Sequence, residues 1–331
     1  MKVPVIIFAL LAFGSIAFAQ EPSGTVFKLV LSDHPGQLTW GADGFKIVQS
    51  SAKPNGRELG IRGQDSWGRL SFLGFLFLMP EGAPLTSAKC RDGALDLEKK
   101  GNPSLTILRT SEISRSPGLP LSLATYTTKT RDGSVGYLVR GFVATSDICG
   151  DLEFYSKKPI SADDADLVRV FSSYQLDPTY APKFADVVFY AQVLYQTKMY
   201  QAAGPAFEKA LALLPEDGSP FPSARVARRV VTDQAGMAYG VSGDLRKARA
   251  VFEAGIASDP QYPMYYYNLA CADAGEKNLT GARLHLQQAF ARKAAVNSGE
   301  TMPDPTRDDS FLPYKENREF WSFVESLQSA K

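Results

Sequence analysis

Small residues in the second half of the chain recur at a constant spacing, and this spacing constrains the fold more than any other feature of the sequence. Three pairs lie 34 residues apart: Gly236 and Ala270, Ala248 and Ala282, and Gly255 and Ala289. Small side chains at fixed places in a repeat of this length are typical of helix pairs that cross closely and stack on their neighbours. The second half is therefore predicted to be an all-α solenoid.

The larger residues between these small ones make the pattern resemble the tetratricopeptide repeat (TPR), a 34-residue unit of two antiparallel helices. Positions 8, 11, 20, 24, 27 and 32 of that unit are matched by Gly236, Tyr239, Ala248, Phe252, Gly255 and Pro260. The resemblance implies three units, at 184–217, 229–262 and 263–296, and the residues 218–228 loop out or lengthen a helix. A helix over 316–327, within a C-terminal segment at 297–331, is predicted to cap the array.

Two residues of the third unit depart from the repeat pattern, and one of them is Leu286, where phenylalanine often stands. Asp273 stands where a tyrosine or another large residue is common, so we expect looser packing there. His285, on the second helix of the same unit, is expected to be exposed.

The first half, residues 24–176, has a different period. Apolar residues alternate or form short runs, and turn residues separate the runs, as at Arg131-Asp132-Gly133 between two strand-like stretches. These patterns predict antiparallel strands joined by a hairpin. Two segments, 84–100 and 161–173, have helical spacing instead. The sequence thus predicts an α+β domain with an antiparallel sheet and flanking helices, followed by a stiff linker at 177–183.

The order of these elements resembles PsbP-like domains. The resemblance rests on a helix around Cys90-Arg91-Asp92, on the run from Ile148 to Phe154, and on a short helix before Phe171-Ser172-Ser173-Tyr174-Gln175-Leu176. It implies a sheet flanked by helices and a non-enzymatic accessory or assembly role.

The first residues predict export. A basic Lys2, an apolar run and the small residues before Gln20 are typical of a secretory signal peptide at 1–19, cleaved near Ala19. A membrane anchor is the alternative, but the apolar run is short for a bilayer span. In an oxidising compartment Cys90 and Cys149 are expected to form a disulfide; two separate buried thiols are the alternative. The mature protein is expected to be secreted or periplasmic, with no stable membrane span.

Composition and motifs argue against several function classes. The chain has 36 basic and 35 acidic residues, which does not favour nucleic acid as a partner. Its two histidines have no metal-ligand or nucleophile partner at a recognisable spacing, so no metal, cofactor or catalytic residue is expected. An alternative remains open: an enzyme or small-ligand binder whose site in the first domain uses Asp65, Arg91, Asp92 or Asp151.

The resemblance to TPR proteins also implies where a partner would bind. The first helix of each unit lines the concave surface of such an array, and a peptide could bury its side chains there. The predicted groove residues are Val188, Gln192, Tyr195, Asp233, Met237, Met264, Tyr267 and Cys271. The sequence therefore predicts a non-catalytic adaptor or scaffold that binds a protein or peptide; inter-helix packing is the alternative for each of these residues.

Overall fold

The computed structural model describes residues 25–79, 86–116, 118–130, 132–145 and 147–329. The chain divides into two compact units, and the boundary lies between Pro182 and Lys183. The first is an antiparallel-sheet region and the second is helical. The predicted signal peptide at 1–19 lies outside the described residues.

Within the described ranges, the first unit has two antiparallel sheets and two helices. The strands are β1 Val26–Val30, β2 Gln37–Gly41, β3 Phe45–Ala52, β4 Glu58–Asp65, β5 Leu70–Leu78, β6 Thr106–Ile113, β7 Leu121–Lys129, β8 Val135–Ala144, β9 Ile148–Ser156 and β10 Gln175–Asp177; the helices are α1 Ser87–Gly101 and α2 Ala165–Ser173. The small sheet has the order β1-β2-β10, and the large sheet has the order β3-β4-β5-β9-β8-β7-β6. The predicted hairpin joins β7 to β8, with Lys129 opposite Val135.

Aromatic side chains form the core between the two sheets. Trp40 on β2 is fully buried and its ring lies 5.5 Å from that of Phe72 on β5. The sheet reaches this ring because β5 carries glycine there: a Cβ on Gly74 would lie 2.6 Å from Trp40. On the same side, Phe171 of α2 packs against Phe154 of β9 at 5.7 Å. The core is thus closed by the small sheet and by α2.

A disulfide between Cys90 on α1 and Cys149 on β9 joins the other face of the large sheet to its covering helix. The two Cα atoms are 6.4 Å apart, within the usual range for a disulfide. The predicted pairing is therefore confirmed, and the alternative of two separate thiols is wrong. A bond across 59 residues of chain stabilises the folded state by about 2–4 kcal/mol, mainly by restricting the unfolded chain.

In the described part of the chain, the second unit contains three consecutive helix pairs and a further helix. Their bounds are α3 Phe184–Gln196, α4 Tyr200–Ala212, α5 Ala224–Val241, α6 Leu245–Ser258, α7 Pro263–Gly275, α8 Leu279–Ala291 and α9 Arg318–Ser329. Each helix packs against the next from α3 to α8, and α9 packs against α8. Phe320 and Val324 of α9 are buried in the same core. The unit boundaries taken from the repeat register stay predictions.

The residues between the first two pairs both loop out and lengthen a helix. The chain after Gly218 forms a loop, and α5 begins at Ala224, five residues before the position 229 given by the repeat register. Ser223 caps the helix, because its side chain accepts a hydrogen bond from the backbone N–H of Val226. The early start gives α5 its 18 residues.

The small residues of the repeat lie where helices cross. A Cβ on Gly236 would come within 2.4 Å of Phe252, and one on Gly255 would come within 2.8 Å of Tyr265. Neither position has room for a side chain unless an aromatic ring moves. The close helix approach inferred from the 34-residue spacing is therefore present.

Candidate functional site on the inner face of the helix pairs

The eight predicted groove residues all lie on the first helix of a pair. They are Val188, Gln192 and Tyr195 on α3, Asp233 and Met237 on α5, and Met264, Tyr267 and Cys271 on α7. Only Gln192 and Tyr195 are partly exposed, and the other six are buried. Six of the eight side chains are thus enclosed in this conformation, and the assignment of these residues to a partner-binding groove stays a prediction.

Residues 295–314, which we call the covering segment, contact α7 and help to enclose Tyr267 and Cys271. The segment is non-helical except for short 3₁₀ turns and follows α7 in the same chain direction. At one end, the Tyr262 hydroxyl lies 3.1 Å from a carboxylate oxygen of Glu300. At the other end, the Tyr314 hydroxyl donates to the backbone oxygen of Ala274, 2.5 Å away. The inner face of the third pair is therefore occupied by the chain's own C-terminal part.

The middle of the covering segment lies against the predicted groove residues of α7. The Tyr267 hydroxyl donates to the Asp308 carboxylate at 2.9 Å, and the Cys271 Sγ lies 3.9 Å from the same oxygen. The ring of Phe311 stands edge-on to that of Tyr267, with centroids 6.0 Å apart. Burial raises the pKa of the Cys271 thiol well above its ordinary value, and the nearby Asp308 adds to this. Cys271 is therefore an unreactive, enclosed thiol.

A buried arginine fixes the start of the covering segment. Arg229 of α5 donates from Nη1 to the backbone oxygen of Ala295 at 3.0 Å and to the side chain of Asn297 at 3.1 Å. Its Nε donates to Asp259 at 2.6 Å, and its guanidinium lies 4.6 Å from the centre of the Tyr262 ring. Arg229 thus connects the second helix pair to the covering segment, and the carboxylate of Asp259 balances the charge of its guanidinium.

Asp233 is the most unusual of the predicted groove residues. It is fully buried on α5, where Oδ1 accepts a hydrogen bond from Asn268 at 2.7 Å and Oδ2 has no partner among the described residues. Burial raises its pKa to about 7; the hydrogen bond from Asn268 opposes this rise, and the charge of Glu300 adds to it. The inner face therefore contains a carboxyl group that changes its charge near neutral pH.

Asp273 does not loosen the third pair, contrary to the expectation from the repeat pattern. It is buried and accepts hydrogen bonds from Arg249 at 2.7 Å and Asn278 at 3.2 Å, and it lies 2.5 Å from Nδ1 of His285. Burial alone would raise the pKa of Asp273, but the contacts with His285 and Arg249 outweigh it and leave the pKa lowered. His285 is therefore a structural partner of Asp273. Its side chain is partly buried, so the prediction that it is exposed is wrong.

The residues of the alternative site in the first unit are not brought together. Asp65 accepts from the backbone N–H of Arg69 within a turn, and Arg91 and Asp92 form an ion pair on α1 at 2.8 Å. Asp151 lies apart from both, on β9, where it forms a bidentate pair with Arg140. Among the described residues, none of these contacts links Asp65, the Arg91–Asp92 pair and Asp151 to one another.

The Arg140–Asp151 pair belongs to a buried network that ties α1 to the large sheet. Arg140 also contacts Glu98 of α1 and lies 3.5 Å from Glu153, which accepts from the Tyr126 hydroxyl at 2.6 Å. Burial raises the pKa of Glu153 to about 7, although Arg140 and Tyr126 oppose the rise. The network borders a cleft of about 500 Å³, but its hydrogen bonds are internal and join a helix to a sheet. We assign it a structural role.

The described ranges contain neither a metal-binding cluster nor a membrane-spanning helix. No group of three or more histidine, cysteine or acidic side chains is arranged to hold a metal ion there. No helix in the described part of the chain is both long enough and apolar enough to cross a membrane.

No family model matches the chain, and no curated protein matches its sequence. Among solved structures, the TPR domain of Sgt2 from Aspergillus fumigatus is 17% identical, with 45% of this chain and 82% of that chain covered and a TM-score of 0.30. The Yersinia enterocolitica type III secretion translocator chaperone SycD is also 17% identical, covering 44% and 91%, with a TM-score of 0.30. PcrH from Pseudomonas aeruginosa is 14% identical, covering 44% and 91%, again with a TM-score of 0.30. These values do not assign the chain to a family, and none of these three comparisons bears on the resemblance to PsbP-like domains.

Proposed function

We propose that the helical unit is a non-catalytic scaffold that binds a polypeptide segment along the inner face of its helix pairs. The observation that supports this proposal is the covering segment, a largely non-helical stretch of polypeptide that already contacts α7 on that face. It is held by tyrosine hydroxyl groups, by an arginine and by aromatic packing, as in the contacts of Tyr267 with Asp308 and Phe311. Tyrosine and arginine are the residues that most often dominate peptide and protein interfaces.

We place the part of this face that a partner can reach on the first helix pair. Gln192 and Tyr195 on α3 are half-buried, and the Tyr195 ring is braced by Tyr200 at 5.1 Å and by Phe207 at 6.4 Å. A tyrosine held in this way loses little entropy when it contacts a partner. We therefore place the bound segment across α3, next to the region that the covering segment occupies.

Export is part of the same proposal. The disulfide between Cys90 and Cys149 supports an oxidising compartment, because such bonds are rare in reducing ones. The partner would then be a secreted or periplasmic polypeptide met after cleavage near Ala19.

Site-specific photocrosslinking tests the binding face directly. A photoreactive amino acid replaces Gln192 in one variant and Leu284 in another; Leu284 is 52% exposed on α8, the second helix of its pair. Both full-length variants are irradiated in extracellular or periplasmic extract, and the crosslinked polypeptides are identified by mass spectrometry. We expect a discrete set of polypeptides from position 192 that position 284 does not give.

A third variant combines the photoreactive residue at 192 with Tyr195→Ala, and it should lose these crosslinks while its circular dichroism stays unchanged. Identical products from both positions, or products that persist without the Tyr195 ring, would contradict the proposal.

A further inference from the structure

A second cleft lies in the first unit, between α2 and the β6–β7 edge of the large sheet. Its volume is about 550 Å³, within the range of small-molecule sites. Its walls are mostly apolar and are formed by Ile113, Leu119, Leu121, Leu123, Val143, Val168, Phe171 and Leu176. Ser116, Ser172 and Gln175 stand among them as polar groups. The cleft therefore has an apolar interior and a few polar groups.

Among the described residues that line this cleft, Arg115 alone is charged. Its guanidinium donates to the backbone oxygens of Phe171 and Tyr174, at the end of α2. No carboxylate among the described residues pairs with it. Asp163, next to the cleft residue Ala162, is already paired with Arg109 at 2.8 Å. Arg115 thus brings a positive charge to the cleft without an acidic partner.

The end of α2 offsets only part of this charge. The C-terminus of a helix is equivalent to about half a negative elementary charge, and α2 is a short helix of nine residues. Two of the five N–H groups of an arginine are used by the two carbonyl oxygens. Burial lowers the pKa of Arg115, as expected of a cation that lacks a full counter-charge. The remaining N–H groups are available to an acceptor.

We propose that this cleft binds a small amphipathic anion, a monocarboxylic acid with an apolar body. The carboxylate accepts from the free N–H groups of Arg115, in the charge-assisted geometry that arginine offers to carboxylates. The apolar body lies against Leu121, Leu123 and Phe171, which removes apolar surface from water. This site is separate from the polypeptide-binding face proposed above, and either proposal can fail without the other.

Decanoate is the probe that tests the ligand class. Purified full-length protein is titrated by isothermal calorimetry with decanoate below its micelle concentration, with decanol and with decylammonium. All three share the apolar chain and differ in charge. We expect saturable binding of decanoate to one site and binding of the other two that is weaker by about tenfold or more. Decylammonium binding as tight as that of decanoate would overturn the proposal, and so would the lack of saturable decanoate binding.

A matched pair of substitutions tests the location. Val168 lines the cleft and is 46% exposed, so a charged side chain fits there without disturbing the core. Val168→Glu should weaken decanoate binding at least about tenfold by repulsion, whereas Val168→Lys should leave it within about threefold or tighten it. Arg115→Gln should also abolish binding, and Arg109→Gln serves as its control. If Arg115→Gln does not fold, the comparison of Val168→Glu with Val168→Lys tests the location of the site. Equal decanoate binding by these two variants would overturn the assigned site.

Discussion

The hydroxyl of Tyr267 lies 2.9 Å from the carboxylate of Asp308, and both side chains are buried. This hydrogen bond joins α7 to the covering segment at the point where Cys271 is enclosed. The contact therefore holds the covering segment in place and shields the chain's free thiol.

Tyr267→Phe should make Cys271 more reactive. Loss of the hydroxyl leaves the buried Asp308 without one of its donors, at a cost of about 1–3 kcal/mol, and this favours opening of the covering segment. We expect the rate of Cys271 modification by a thiol reagent to rise about tenfold or more. Tyr266→Phe is the control, because the Tyr266 hydroxyl donates to Pro260 and not to the covering segment. Equal acceleration in both variants would argue against local opening.

Asp233→Asn should abolish the decrease in folding stability that the Asp233 carboxyl group causes as the pH rises. The pKa of Asp233 is about 7 in the folded protein, against about 4 in an unfolded chain. Between these values the unfolded chain releases a proton that the folded protein keeps, so stability falls as pH rises. The difference amounts to at most about 4 kcal/mol above pH 7. Urea denaturation should show Asp233→Asn more stable than the parent at pH 8, with a smaller advantage at pH 5. The exposed Asp309→Asn is the control, and a pH-independent gain would contradict the assignment.

Loss of the disulfide should destabilise the first unit. The double substitution Cys90→Ala with Cys149→Ala is expected to lower the free energy of unfolding by about 2–4 kcal/mol. Denaturation of the parent with a reducing agent should show a similar loss, whereas the double variant should not respond to the reagent. A parent insensitive to reduction would show that the bond does not contribute.

Gly236→Ala should destabilise the helical unit, although alanine favours helices. The added Cβ would lie 2.4 Å from Phe252, and overpacking of this kind costs about 1–3 kcal/mol. Gly93→Ala in α1 is the matched control, since a Cβ there meets no atom within 4 Å and should stabilise the helix by about 0.5–1 kcal/mol. Thermal denaturation of both variants should give shifts of opposite sign.

The repeat register could be found from the sequence because steric contacts dictate it. Only a very small residue fits at Gly236 against Phe252, so the requirement is visible in the chain itself. The pairing of Cys90 with Cys149 was predictable for a similar reason, since both fall in one sheet domain and Cys271 falls outside it. Steric and chemical constraints of this kind can be recognised from the residue types alone.

The occupied inner face could not be predicted from the sequence. Asp308 and Phe311 have no periodic pattern, and their positions depend on contacts with α7 that form only in the folded chain. The start of α2 was also misplaced: Ser161 has the character of a helix cap, but its side chain accepts from Asp163 within a turn and α2 begins at Ala165. In both cases the observed conformation depends on which of several competing contacts is the most stable, and the residue types alone do not show this.

The covering segment also constrains the spacing between the second and third helix pairs. Its first residue, Ala295, is bound by Arg229 of the second pair, and its last residue, Tyr314, is bound to Ala274 of the third pair. The segment therefore spans the distance between these two anchor points. Duplication of one 34-residue unit between the second and third pairs would separate the two anchor points by another helix pair, and the segment could no longer reach both. An insertion at this point of the array would therefore require a longer covering segment, whereas helix pairs added before the second pair would not.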